Sequence, residues 1–332
     1  MDPVALTRAL VDIDSTTGRE TEAGEWLAEY LHTLGFAVVT QPVDASRFNV
    51  LAQAGSSEVI LSTHFDCVPP FFPSRIEGDR IYGRGSCDAK GILAAQVAAA
   101  DLLRREGETR VGLLFVVGEE RGSDGAKVAN RAPCGSRFLV DGEPTDNRLG
   151  LATRGMLRLK LTTAGRAAHS AYPELGDSAI DHLIDALVEL RSIELPSDPL
   201  LGRTHYTVGL ISGGVAPNVV SPSAECEVMF RTVSDAAAIR RAVQSLEPRV
   251  VIEDVLEAPP VRLTTVPGYD AVAFPYTTDI PFLNALGRPL LFGPGSIHVA
   301  HTGAEFIPIP ELQAAVGHYV AIARHLLRHG GA

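Results

Sequence analysis

Val111–Gly122 reads VGLLFVVGEERG, an apolar run, unbroken from Leu113 to Val117, that stops abruptly at the paired acids Glu119 and Glu120. Such a run is the pattern of a strand covered on both faces, as in a parallel sheet. Ligands of open α/β sheets gather where these strands finish, so the two glutamates stand where chemistry is usually done. An isolated Glu-Glu pair is ordinarily part of a solvated loop. Here the pattern recurs. Glu58–Asp66, EVILSTHFD, ends on His64 and Asp66, and Arg137–Glu143, RFLVDGE, ends on Asp141 and Glu143.

Working outward, IYGRGSCDAKG at Ile81–Gly91 sets Asp88 in a loop punctuated by Gly83, Gly85 and Gly91, and an alanine-rich helix is predicted over 92–104 before Val111. Strand, helix, strand is a right-handed crossover of a parallel sheet. Apolar spacing predicts two opening helices over 2–15 and 20–34. Near the other end it predicts a helix about 279–285, a strand over 288–292, the loop GPGSIHVAH and a closing helix over 310–329. Between these, strands over 156–163, 205–211, 224–232 and 250–255 alternate with helices at 180–190 and 236–246. That β-α-β-β-α-β order is the split βαβ layout. The predicted fold is therefore α/β: a catalytic domain on a mostly parallel sheet, residues 1–155 and 260–332, with an inserted ferredoxin-like domain at 156–259.

At 332 residues the chain exceeds ordinary single-domain size, and 45% apolar with 21% charged residues is a globular composition. A net charge of −11 disfavours nucleic acid and anionic membranes as partners. No apolar run approaches a membrane span, and MDPVALTRAL lacks the order of a signal peptide, so a cytoplasmic protein is expected. Cys67, Cys87, Cys134 and Cys226 fall at no metal-ligand spacing and suit a reducing compartment as free thiols.

His64, Asp88, Glu119, Glu120, Glu143 and His301 are mostly strand-end or glycine-loop residues of the first domain. Hard carboxylates with two imidazoles suit zinc, cobalt or manganese better than calcium or magnesium. So many acids at one sheet edge would repel one another without a cation. Asp141 competes with Glu143 as a ligand, and His298 with His301, on spacing alone.

THFDCVPP, IYGRGSCDAKG, VVGEERG, DGEPT, AGRAAHSAYPELGDSAI, GGVAPNVVSP and GPGSIHVAHTGAEF together resemble, in order and spacing, the dinuclear zinc exopeptidase and deacylase family. That family includes acetylornithine deacetylase, succinyl-diaminopimelate desuccinylase, aminoacylase and the glutamate-releasing carboxypeptidases. The resemblance spans nearly the whole chain. It implies that Asp88 bridges two divalent ions, zinc first with cobalt or manganese as alternatives. His64 and Glu143 would complete one site, and Glu120 and His301 the other. Its motif contexts favour Glu143 over Asp141 and His301 over His298. Glu119 is then the general base that activates a metal-bridging hydroxide, and Asp66 holds the second nitrogen of His64.

The inserted domain is implied to be a lid and dimerisation domain. His169 resembles a histidine that reaches the partner subunit's site and bonds the carbonyl oxygen under attack. Asn218 and Arg231 resemble residues that grip the substrate's carboxylate, with Gly295 as a further substrate contact. Two departures bear on the lid: DSAI stands where Asn-Ala-Ile is common, and MFR lacks the usual Asp two residues before the Arg. The implied protein is a homodimeric amidohydrolase acting on a small N-acyl amino acid or short peptide. An acetylornithine deacetylase-like substrate is the first choice, with desuccinylase, aminoacylase and di- or carboxypeptidase activities as runners-up. A relative that keeps the fold only for binding would be expected to have lost Glu119 or a ligand, and none is missing.

Overall fold

Every residue of the strand Val111–Val116 is buried, and so is every residue of its parallel neighbour Val59–His64. In the computed structural model, which describes residues 1–329, these strands lie at the centre of a six-stranded sheet. Its order is Ala37–Pro42, Phe48–Gln53, Val111–Val116, Val59–His64, Phe138–Asp141 and Arg288–Leu291. The last four run parallel, and the first two are added antiparallel. The sheet is thus mixed but mostly parallel.

Successive side chains of a strand point to opposite faces, and here both faces are covered. Val59, Leu61, Leu113, Phe115, Phe138 and Val140 share a core with the helices Lys90–Arg105 and Ile309–His329. Ile60, Leu114, Val116 and Leu139 pack on the other side against Ala126, Ala129, Leu283 and Leu286. Double coverage is why the strands read as continuous apolar runs instead of alternating. Truncating a fully buried leucine such as Leu61 to alanine would cost roughly 2–5 kcal/mol.

The opening helix is shorter than the apolar spacing predicts, Pro3–Val11. The buried ammonium of Lys90 takes the carbonyls of Leu10 and Ile13 at 2.9 and 2.8 Å, satisfying acceptors at the helix end. The helix expected over 279–285 is two 3-10 turns, Ile280–Phe282 and Asn284–Leu286. Pro281 supplies no N–H and Gly287 follows at φ 102°, so no α-helical ladder propagates.

The chain divides into two compact units. The first comprises Met1–Leu151, Leu263–Val272 and the chain from Thr278 onward. The second comprises Ala152–Arg262 with the short segment Ala273–Thr277. That segment is held in its unit by Arg154, whose amide donates to the Phe274 carbonyl at 3.2 Å and whose carbonyl accepts from Thr277 Oγ1 at 3.0 Å.

The second unit has an antiparallel sheet in the order His205–Gly213, Ser223–Thr232, Gly155–Ala164, Val251–Ala258. In chain order these are strands two, three, one and four, the ferredoxin-like arrangement. Leu157, Leu159 and Leu161 alternate with half-exposed residues and meet Leu183, Ala186, Ile239 and Val243 of the helices Ala179–Leu190 and Ala236–Val243. Among the described residues no helix is long and apolar enough to cross a membrane.

Candidate dinuclear metal site

Three parallel neighbours of the first unit finish at one sheet edge, and each hands over acidic or imidazole side chains there. Val59–His64 ends on His64 itself, with Asp66 two residues on. Val111–Val116 is followed by Gly118 at φ 76°, a left-handed conformation that suits glycine, and then by a 3-10 turn carrying Glu119 and Glu120. Phe138–Asp141 is followed by Gly142 and Glu143. A Cβ at Gly142 would come within 2.5 Å of Ile92 and 2.6 Å of Gln96, so only glycine lets the chain turn Glu143 inward here.

Asp88 and His301 come to the same edge from loops. His64 Nε2 lies 3.0 Å from Asp88 Oδ1, and His301 Nε2 lies 3.2 Å from Asp88 Oδ2 and 2.9 Å from Glu120 Oε1. The two oxygens of one carboxylate therefore face two different histidines. Potential ligand atoms of His64, Asp88 and Glu143 all lie within 4.8 Å of one another, and so do those of Asp88, Glu120 and His301. Glu119 belongs to neither cluster. His301 sits at φ 64°, a conformation that a non-glycine residue keeps only when its surroundings impose it.

Asp66 Oδ1 lies 3.5 Å from His64 Nδ1, which also lies 3.0 Å from the Asp66 carbonyl. The same carboxylate accepts the amides of Glu119 and Glu120 and the hydroxyl of Thr17. These last contacts link the glutamate turn to the His64 strand. Thr17 carries no signal of its own in the sequence.

The electrostatics are those of a cation site. Burial pushes Glu143 well above the usual carboxylate range, and Asp88 and Glu119 add to it. Burial likewise raises Glu119 strongly, with Asp279 and Glu120 adding and His64 opposing. Burial would also raise Asp88, but hydrogen bonds from His301 and His64 hold it low. The bond to Asp88, then that to Glu120, lifts His301 to about 10. Burial works against charge on His64, yet Asp66 and Asp88 carry it well above the ordinary histidine value. Two imidazoles hold Asp88 ionised while burial pushes its acidic neighbours towards protonation, and a divalent cation fits such a set. Asp141 is buried near this edge and raised by burial and by Asp279, but it joins neither cluster.

Gly295 is buried in the first unit, its amide donating to Glu311 Oε2 at 3.1 Å. The other sequence-derived substrate residues lie in the second unit. His169 and Asn218 are exposed on two loops that pair with each other: His169 bridges to Val219, and the Ser170 amide donates to the Asn218 carbonyl at 3.0 Å. Arg231 is half-buried near the far end of Ser223–Thr232, with Nη1 donating to Thr277 Oγ1 at 3.4 Å. Both loops join the sheet at the Ala164 and Ser223 end, and the strand from Ser223 to Arg231 spans about 26 Å. One chain thus brings His169 and Asn218 together but keeps Arg231 apart from them.

A mostly parallel sheet whose strand ends gather two His–carboxylate clusters around one shared aspartate defines a dinuclear metal-dependent hydrolase. The chain belongs to Peptidase family M20/M25/M40, whose family model matches residues 60–325. A probable carboxypeptidase of Aspergillus terreus is 42% identical over 365 residues, covering 95% of this chain and 84% of its own. A tripeptidase of Staphylococcus aureus has a TM-score of 0.82 at 20% identity, over 97% of this chain and 98% of that one. A dinuclear metal-binding peptidase of the M20 family from Bacillus subtilis has a TM-score of 0.74 at 15% identity, over 98% of each chain.

Proposed function

We propose that this enzyme cleaves the amide bond of a small substrate bearing a free carboxylate, a short peptide or an N-acyl amino acid, with two divalent ions bound at the strand edge. The observation that carries the reading is Asp88, whose two oxygens serve two separate His–carboxylate clusters. In this reading His64 and Glu143 would hold one ion and Glu120 and His301 the other, with Asp88 common to both sets. Donors that are all carboxylate or imidazole suit zinc, with cobalt or manganese able to replace it. Such ions, when bound, would make a water acidic enough to attack near neutral pH.

The chain's own groups do the rest. Glu119 stands at the edge without joining either cluster, and burial gives its carboxylate a raised proton affinity. It takes the proton from the attacking water and returns it to the leaving amine. Asp66 keeps His64 in one tautomer and fixes the turn on which Glu119 rides. His169 holds the carbonyl oxygen under attack, and Arg231 holds the carboxylate.

The separation of His169 and Asn218 from Arg231 supports contributions from two chains to one substrate. The strand His205–Gly213 is a sheet edge on which Leu210 is 64% and Ile211 62% exposed. An apolar edge of this kind is suited to pairing with a second copy about a twofold axis. The second unit would then serve as both lid and dimerisation domain. Four free cysteines accord with the cytoplasm as the compartment.

On substrate, the name of the Aspergillus terreus relative puts carboxyl-terminal peptide bonds ahead of the acetylornithine-type amide that the motifs first suggest. A release assay on the zinc- or cobalt-loaded protein decides, using dipeptides, tripeptides, N-acetyl and N-succinyl amino acids. Release of a carboxyl-terminal residue is the expected result. Turnover of N-acetylornithine alone would reverse that order, and no release from any member would overturn the proposal.

A further inference from the structure

The Asp88 side chain hangs from an irregular loop, yet it must hold its two oxygens towards two different partners. What fixes its backbone is Glu305. One carboxylate oxygen, Oε1, accepts the amides of Cys87 and Asp88, each at 3.1 Å. The other, Oε2, accepts from Arg84 Nη1 at 2.6 Å. Arg84 in turn donates through Nε to the Pro70 carbonyl at 3.2 Å. Glu305 is fully buried and Arg84 only 2% exposed.

This is an expensive way to hold a loop. A buried ion pair gives up the hydration of both charges and is seldom more stable than a well-packed apolar pair. The two amides need an acceptor, and Glu305 Oε1 supplies it to both. One acceptor shared by two successive amides fixes the register of the backbone from which Asp88 projects. Glu305 also lies four residues beyond His301, and the carbonyl of Glu305 accepts the Gly83 amide at 3.2 Å. The loop carrying Asp88 and the loop carrying His301 are therefore tied at one residue.

We infer that Glu305 is a positioning residue for the paired metal site: it sets the Asp88 carboxylate by holding the Cys87 and Asp88 amides, and it anchors the loop of His301 to the same point. This rests on the metal-ligand reading proposed above. Its prediction is specific to the acceptor oxygen, apart from the charge or bulk of the side chain.

Two double variants isolate that oxygen. Arg84→Met with Glu305→Gln removes the ion pair but leaves an acceptor for both amides. Arg84→Met with Glu305→Met removes the acceptor as well. Cobalt(II) binding is followed by calorimetry and by the visible cobalt spectrum, with circular dichroism and thermal melting to establish folding. The Gln variant should bind two cobalt ions within about threefold of wild type. The Met variant should bind more weakly by about 10–100-fold, as outer-shell losses do, with a changed spectrum. Should the Met variant not fold, Glu305→Asp, which keeps the charge but withdraws the oxygen by one methylene, should still lose about tenfold in affinity. Equal cobalt affinity in the two double variants, or wild-type affinity in folded Glu305→Asp, overturns the role of Glu305. Failure of the wild type to bind cobalt would instead remove the underlying metal reading.

Discussion

The amide of Glu119 donates to Asp66 Oδ1 at 3.1 Å, and that same oxygen stands 3.5 Å from Nδ1 of His64. One carboxylate therefore orients both the proposed base and a proposed metal ligand, although the two arrive on different strands. Replacing Asp66 by Asn should damage both at once. Metal affinity is expected to fall by about 10–100-fold, with kcat falling beyond what restored metal loading recovers. Calorimetry and kinetics at saturating metal measure the two losses. Wild-type values for both would show that Asp66 only stabilises the fold.

The adjacent glutamates should separate cleanly. Glu119→Gln is expected to retain both ions and lose about 10²–10⁴ in kcat, the usual range for a general base. Glu120→Gln, which removes a member of the Asp88–His301 cluster, is expected to lose metal. Elemental analysis beside the rate constants tests this, and two active variants each holding two ions would refute the assignment.

Metal uptake should displace protons. In the metal-free protein His301 has its pKa lifted to about 10 by Asp88 and Glu120, so at pH 7 it is charged. A raised histidine stabilises the fold most fully below its unfolded value of about 6.5, and the contribution is lost as pH rises through about 10. A cation at the same atoms competes with that proton, so affinity should increase with pH up to that value. Titrating zinc at pH 7 in buffers of different ionisation enthalpy should reveal at least one proton released per site filled. Uptake without proton release would place the metal elsewhere. Chelation should abolish turnover, and zinc or cobalt should restore it.

Sharing between subunits can be tested by mixing. His169→Ala and Glu119→Gln chains, each inactive alone, should together recover about a quarter of wild-type activity after random re-pairing, since half the dimers then hold one intact site of two. No recovery after confirmed exchange would confine His169 to its own chain or remove it from the reaction.

Much of this was legible because the sheet is buried on both faces: VGLLFVVGEE and EVILSTHFD announce both the strand and its functional end in one stretch. The split βαβ unit was legible for the complementary reason, that Leu157, Leu159 and Leu161 alternate where only one face is covered. Local pattern failed where long-range partners decide. Nothing near Thr17 or Glu305 shows that one meets Asp66 and the other the amide of Asp88. The helix expected over 279–285 gives way to two 3-10 turns, because Pro281 and Gly287 set the backbone there. The strand predicted over 224–232 already puts Asn218 before one end and Arg231 at the other.

That distance has a consequence for how the enzyme would behave in the cell. If one substrate needs both ends, an isolated chain can be perfectly folded and fully metallated and still be incompetent. Specific activity would then fall on dilution with no change in circular dichroism, and expression level would set turnover per molecule as well as the number of molecules.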